Sequence, residues 1–285
     1  MLWPNRFEQK PFIEPRMSGA SCAQVTNAVL LTRYLYSHMT TPSTTVYEAA
    51  AILKNASRIL VLSGAGLSQG SGIPTYRDIG GLWELESNLK FSQIENYRSD
   101  PKLFSRFWAA RCRDIANAKP NAAHRALARL QRSTDKVALV TQNVDGLLQT
   151  AGCKKVHELH GNLRIMRCDP CNRIRAHTFR GRCLRCFSWV RPNVVLFGEE
   201  LSEETLQASN EAARSCDAIL VVGTSAVVYP AARLPVIAIR NGARMIVLDA
   251  QPPLLARAAD VVLTGKAEVL LPNLVELTIA RGSMS

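Results

Sequence analysis

Short, almost wholly apolar runs alternate along this chain with longer stretches in which apolar residues recur every three or four positions. Ile59-Leu60-Val61-Leu62, Val137 to Thr141, Ala218 to Gly223, Met245 to Leu248 and Val261 to Leu263 are runs of the first kind. Runs this short and this continuously apolar suit strands buried on both faces. Val46, Ala49, Ala50 and Leu53 follow the helical period and predict a short helix ahead of the strand at Ile59 to Ser63. Further helices are predicted between the strands, over Asn121 to Arg132, Glu203 to Ser215 and Ala231 to Asn241. Strand and helix in alternation imply a parallel sheet covered on both faces, so the predicted fold class is α/β, a doubly wound, Rossmann-like parallel sheet.

Two segments break this rhythm and read as insertions: residues 83–118, polar and helix-like, and residues 162–192. The second contains Cys168-x-x-Cys171 and Cys183-x-x-Cys186, separated by eleven residues. Two such turns place four thiolates around one tetrahedral Zn2+ ion, and four sulfurs leave no open position. The expected zinc is therefore structural, clamping a segment too small to fold on a core of its own. The remaining Cys22, Cys112, Cys153 and Cys216 show no pairing pattern, and a reducing compartment is the simpler account of them.

With 285 residues and 47% hydrophobic composition, the chain can bury a substantial core in one to two domains. Polar residues interrupt every apolar segment well short of the ~20 residues a membrane helix needs, so no membrane span is expected. The formal charge of +12 raises the question of a polyanionic partner. Yet Arg125, Arg129 and Arg132, and then Arg173, Arg175, Arg180, Arg182 and Arg185, are scattered rather than massed, which reads as a solvated surface with no specific nucleic-acid site. Residues 1–45 lack a core pattern and a secretory cleavage site. From Met17 to Thr41 there is no acidic residue, as in a mitochondrial transit segment, although Glu8 and Glu14 oppose that reading. A transit segment and a disordered extension both stay open, and with them a matrix or a cytoplasmic location.

Chemistry gathers where strands end. Gly64-Ala65-Gly66-Leu67-Ser68 follows the first strand, and its glycines and small side chains would let backbone N–H groups approach a pyrophosphate, although the spacing is not the usual GxGxxG. Gln142, Asn143 and Asp145 follow the second strand, Gly223-Thr224-Ser225 a later one, and Asp249 the next. Open parallel sheets place ligand-binding groups at such carboxyl ends.

Taken in order, Gly64 to Arg77, Thr141-Gln142-Asn143-Val144-Asp145, Glu158-Leu159-His160-Gly161, the two Cys-x-x-Cys pairs, Val195-Leu196-Phe197-Gly198-Glu199 and Gly223-Thr224-Ser225 resemble the sirtuin family, over roughly residues 46 to 275. The resemblance implies an NAD-dependent protein-lysine deacylase of the class III subgroup, a transferase that removes acetyl, or succinyl or malonyl, groups and yields nicotinamide and acyl-ADP-ribose. It implies a catalytic region over residues 46–280. A large NAD-binding domain would comprise 46–82, 119–161 and 193–280, and a small zinc-containing domain would comprise 83–118 and 162–192. His160 becomes the general base, with Asn143 beside it in catalysis, while His157 is packed or solvated and His124 is structural. Gly64, Ala65, Gly66, Ser68, Tyr76 and Arg77 fall on the phosphate loop of the NAD site. Asn143 and Asp145 fall at its nicotinamide end, with Gln142 on the ribose. Gly223, Thr224, Ser225, Asp249 and Ala267 fall on the adenosine part, although sirtuins commonly have asparagine where Asp249 stands. Val195, Phe197, Gly198 and Glu199 belong to the stretch that pairs with an acylated lysine-containing protein as an added strand. Trp108 and Arg111 occupy the place of a Tyr-x-x-Arg pair that serves acidic acyl groups; there the indole N–H would replace the phenol and Arg111 would grip a carboxylate, with Glu84 and Glu86 opposing in charge. The chain is expected to act as a monomer. ADP-ribosyl transfer to protein and a silent NAD sensor are the alternatives, and the presence of His160, Asn143 and Asp145 argues against the sensor.

Overall fold

The computed structural model describes residues 44–75, 90–176 and 181–280. The N-terminal extension, Tyr76, Arg77, Glu84 and Glu86 lie outside the described residues, and so do the expectations placed on them.

The strands are β1 (Ile59–Ser63), β2 (Val137–Thr141), β3 (Val156–Glu158), β4 (Gly161–Cys168), β5 (Arg173–Ala176), β6 (Arg191–Val194), β7 (Ala218–Val222), β8 (Arg244–Asp249) and β9 (Val261–Thr264). The helices are α1 (Val46–Asn55), α2 (Ile94–Ser99), α3 (Pro101–Asn117), α4 (Ala122–Ser133), α5 (Leu147–Thr150), α6 (Glu203–Ser215), α7 (Arg233–Arg240) and α8 (Ala267–Ile279). Six strands form one parallel sheet in the order β3-β2-β1-β7-β8-β9. Chain order thus runs outward from β1 in one direction and from β7 in the other, the doubly wound plan expected from the alternation.

Every residue of β1 and β7 is buried, which is why both read as unbroken apolar runs. On one face, Val61, Leu139, Leu220 and Ile246 meet Leu53 of α1, Leu127 and Leu130 of α4 and Leu271 and Leu274 of α8 in one core. The alternate residues Leu60, Leu62, Ile219, Val221, Met245 and Val247 are equally buried on the other. Each such side chain contributes roughly 1.5–3 kcal/mol relative to exposure, so this core supplies the main driving force for the fold. Helix ends are set locally. Asp100 caps α3, with Pro101 in its first turn, and Ser202 caps α6. After α7, the Gly242 N–H reaches the Ile239 carbonyl and the Ala243 N–H reaches that of Ala238, a Schellman closure in which Gly242 takes φ +89°.

The second sheet is small and antiparallel, in the order β5-β4-β6. A separate apolar cluster of Ile94, Tyr97, Phe104, Leu163, Val194 and Leu196 joins it to α2 and α3. Beyond it Met166 and Val190 pack against Cys168 and Cys183. These strands were not expected from the apolar pattern. Among the described residues, no helix is long and apolar enough to cross a membrane.

Candidate functional site

β1 and β7 are neighbours whose following connections leave in opposite directions, and β1 pairs flush with both β2 and β7. Such a switch point opens a crevice at the carboxyl ends of the strands. Here the loop after β1 and the loop after β7 touch backbone to backbone: Gly64 N–H donates to the Val222 carbonyl (3.0 Å) and Gly66 N–H to that of Gly223 (2.9 Å). A Cβ on Gly66 would lie 2.7 Å from Gly223 Cα, and one on Gly223 would lie 2.5 Å from Leu67 N. The glycines are thus needed first to let two loops meet, a different reason from the ligand approach inferred from sequence. Gln142 Nε2 spans the same junction, donating to Thr224 Oγ1 at 2.8 Å.

A cavity of about 880 Å³ opens over this junction. Gly64, Ala65, Gly66, Gln142, Asn143, His160, Gly223, Thr224, Ser225, Asp249 and Ala267 line it, so the sequence-selected residues at six strand ends converge on one space. Trp108, Val195, Phe197, Gly198 and Glu199 border it as well. Ser92, Val228, Tyr229 and Gln251 also line it without having been singled out from the sequence; none belongs to a motif, and only the fold brings them there, while Gln69 lines it from within the Gly64 to Arg77 run.

Ser68 and Asp145 do not border the cavity. Both lie in a buried polar network beneath it, at 1% and 5% exposure. Ser68 Oγ donates to Asp145 Oδ2 at 2.6 Å and accepts from Asn143 Nδ2 at 3.1 Å, while Asn143 also donates to the Gly64 carbonyl at 3.0 Å. His124 caps α4, its Nδ1 lying 3.3 Å from the Asn121 N and 3.0 Å from Asn121 Oδ1, while its Nε2 faces Ser68 Oγ at 3.3 Å. Burial pushes the His124 pKa down to about 4, against the opposing pull of Asp145, and the ring is neutral at physiological pH. Arg164, missed in the sequence, braces the network from below. Its guanidinium donates to the carbonyls of Asp145 (2.7 Å) and Ile115 (2.9 Å), and its only signal was a charge inside a buried strand.

His160 follows β3 and faces the cavity. Its Nδ1 sits 3.0 Å from the Gln142 carbonyl, which only accepts, so the proton is on Nδ1 and the Nε2 lone pair is left for a substrate. Burial lowers its pKa and the bond to Gln142 pulls the other way. Gly161, next in sequence, takes φ +81° and comes so near Asn193 that a Cβ would lie 2.1 Å from its carbonyl oxygen, so the turn that aims His160 admits only glycine. His157 points elsewhere on β3, half-buried, with its pKa also lowered by burial.

The segment Val195–Glu199 is held on one side by its own chain. Val195 N–H donates to the His160 carbonyl (2.9 Å), Phe197 N–H to Ser92 (2.8 Å), and Ile94 N–H to Phe197 (3.0 Å). At its end Glu199 pairs with Arg191. Of the pair that the resemblance assigns to acidic acyl groups, Trp108 borders the cavity and Arg111 does not. The indole N–H donates to the Phe91 carbonyl at 2.9 Å. The Arg111 guanidinium lies 3.5 Å from the centre of the Phe107 ring and does not border the cavity.

Cys168, Cys171, Cys183 and Cys186 converge so that their sulfurs all lie within 4.8 Å of one another. The Cys168–Cys186 and Cys171–Cys183 separations are 3.5 and 3.9 Å. A tetrahedral zinc with Zn–S of about 2.3 Å requires sulfurs about 3.8 Å apart, so the four thiols fit a closed structural zinc site.

Residues 64–230 match the family model described as the Sir2 family. The chain is 41% identical over 241 residues to NAD-dependent protein deacylase 2 of Archaeoglobus fulgidus, a match that spans 81% of this chain and 95% of that protein. Its fold is similar to that of a Sir2 homologue solved in complex with NAD, with a TM-score of 0.78, 35% identity, and 85% and 98% of the two chains covered. A Sir2 protein solved bound to acetylated peptide is similar with a TM-score of 0.72 and 31% identity, over 81% of this chain and 98% of that one.

Proposed function

We propose that this chain, which belongs to the Sir2 family, is an NAD-dependent deacylase of protein lysines, with His160 as its general base and a preference for uncharged acyl groups. The observation that carries this reading is the His160 Nε2 lone pair, its tautomer set by Gln142, facing a cavity at the β1/β7 switch point that the Val195–Glu199 segment also borders.

The cavity suits NAD in size and in lining. Its volume is that of a cofactor site, and its strand-end loops present backbone and small side chains where phosphates and ribose need close approach. NAD, when bound, supplies an electrophilic ribose carbon whose leaving group is nicotinamide. The chain's own residues then do three things. His160 removes a proton from a ribose hydroxyl at Nε2, passing from the neutral to the imidazolium form while Nδ1–H keeps its bond to Gln142. Asn143, fixed to Gly64 and Ser68, and the Ser68–Asp145–His124 network hold the floor of the nicotinamide end rigid. Val195–Glu199 takes the acylated peptide by main-chain pairing, which gives affinity with little sequence preference.

The preference for uncharged acyl groups rests on Trp108 and Arg111. A succinyl carboxylate entering beside Trp108 would lose water without a partner from the indole N–H, which is already bonded, or from Arg111, which does not border the cavity. Nicotinamide release and lysine deacylation on matched acetylated and succinylated peptides test both parts, with His160→Ala as control. The expected result is turnover of the acetyl peptide, little of the succinyl peptide, and loss of both in the variant. Preferential turnover of the succinyl peptide would overturn the acyl preference, and NAD binding without reaction of either peptide would overturn the deacylase reading.

A further inference from the structure

Among the described residues Arg191 is the bulkiest fully buried side chain, at 1% exposure, and it is charged. It lies on β6, outside the cavity. Its Nε donates to Asp169 Oδ2 (2.9 Å), its Nη1 to the Val194 carbonyl (3.0 Å) and its Nη2 to Glu199 Oε1. The guanidinium also lies 5.2 Å from the centre of the Tyr97 ring. Both carboxylates are used twice: Asp169 Oδ1 accepts from Arg167 Nε at 2.6 Å, and Glu199 Oε2 accepts the Leu196 N–H at 2.9 Å.

Stability alone is a weak reason for such an arrangement, because a buried ion pair seldom outperforms apolar side chains of the same volume. A planar fork does something apolar packing cannot: it fixes the direction of two carboxylates at once. One of them, Asp169, sits inside the Cys168-x-x-Cys171 turn. The other, Glu199, closes the turn that starts at Leu196, whose carbonyl accepts the Glu199 N–H at 2.9 Å. That turn presents Phe197 and Gly198 to the cavity.

We infer that Arg191 is a positioning residue for substrate: it ties the Val195–Glu199 segment to the cysteine turn, so that the metal-binding end of the small sheet sets how the acylated peptide is held. The inference rests on the reading of Val195–Glu199 as the peptide-binding segment. The residues read as the NAD site stand on the loops that follow strands of the parallel sheet, whereas Arg191 stands on the small sheet outside the cavity, so the tie should act on peptide and spare NAD.

The test compares wild type with Arg191→Met, Arg191→Lys and Asp169→Asn, the last a change of one atom that leaves all four cysteines in place. For each, the readouts are zinc per chain, NAD affinity by calorimetry, affinity for a fluorescent acetyl-lysine peptide by anisotropy, and separate KM values for peptide and NAD. The expected result is one zinc per chain and NAD affinity within about twofold of wild type. The KM and Kd for peptide should be raised about tenfold to a hundredfold, as for a group displaced by about 1 Å. Arg191→Lys should recover little, since a point charge cannot hold both carboxylates. If Arg191→Met does not fold, Asp169→Asn alone carries the test and should show the same split. Unchanged peptide affinity in folded variants, or equal loss of peptide and NAD affinity, would overturn the inference. A wild type that neither binds nor turns over the peptide would bring down the deacylase reading and this inference with it, an outcome visible before any variant is made.

Discussion

The contact between the loops after β1 and β7 can be tested by adding one methyl group. Gly223→Ala imposes two costs. The first is conformational, because φ is +59°, where an L side chain loses roughly 1–2 kcal/mol. The second is steric: the new Cβ would stand 2.5 Å from Leu67 N and 2.6 Å from Gly66 C. Both are backbone atoms that cannot swing aside, so the loops must part, at the roughly 1–3 kcal/mol typical of overpacking. Gly242→Ala separates the two effects. Gly242 has φ +89°, yet nothing lies within 4 Å of its would-be Cβ, and it is remote from the cavity, so it bears only the conformational cost. Thermal unfolding should therefore place Gly223→Ala below Gly242→Ala, at about 2–4 °C for each kcal/mol of difference in a domain of this size. Calorimetry should show NAD affinity reduced in Gly223→Ala alone. Equal melting temperatures for the two variants, or undiminished NAD affinity in Gly223→Ala, would refute the argument that the glycines exist to let the loops meet.

Four further outcomes follow from the structure. His160 acts as a base only when neutral, and burial lowers its pKa, so kcat/KM for acylated peptide should fall on acidification with a midpoint below the ordinary histidine value of about 6.5; a midpoint above it would contradict the assigned environment. His160→Ala should lose about a hundredfold or more of deacylation while NAD still binds. His124 has a folded pKa of about 4, below its unfolded value, so the stability it contributes is present above about pH 6.5 and is lost as pH falls through 4. The melting temperature should drop across that window and drop less steeply in His124→Gln, and parallel slopes would show that another group is responsible. Cys171→Ser removes one ligand from a closed site, so zinc measured by atomic emission should fall from one per chain toward none, with proteolysis confined at first to residues 162–192; retention of full zinc would exclude the four-sulfur site.

What was legible in the sequence was whatever is held by continuous apolar burial. β1 and β2 occupy Ile59–Ser63 and Val137–Thr141 as the runs predicted, because a buried parallel strand meets the core along its whole length, while α6 occupies Glu203–Ser215 with only Ser209 and Ala213 buried. β4, β5 and β6 were not legible for the opposite reason. Arg164, Arg167, Arg173, Arg175 and Arg191 stand in them and interrupt any apolar run, and ion pairs and four cysteine sulfurs supplement small apolar clusters there. α8 carries Pro272, a residue that argues against a helix interior, yet Leu271, Leu274 and Val275 bury it against the sheet and override that preference.

The same distinction explains why the positions of the site were found more readily than their roles. Motifs after strands mark where the chain reaches the carboxyl edge, and a parallel sheet with flush strands brings those edges together whatever lies between them. The partners within that edge are set by contacts between segments far apart in sequence: Gly66 with Gly223, Ser68 with Asp145, Gln142 with Thr224. A serine or aspartate in a motif looks the same whether it faces a ligand or supports the residue that does. Ser68 does not border the cavity itself but bonds both Asp145 and Asn143, the latter of which does, through hydrogen bonds that only the folded register creates. A polar motif at a strand end thus specifies a layer of the site, and burial decides which of its members face the substrate.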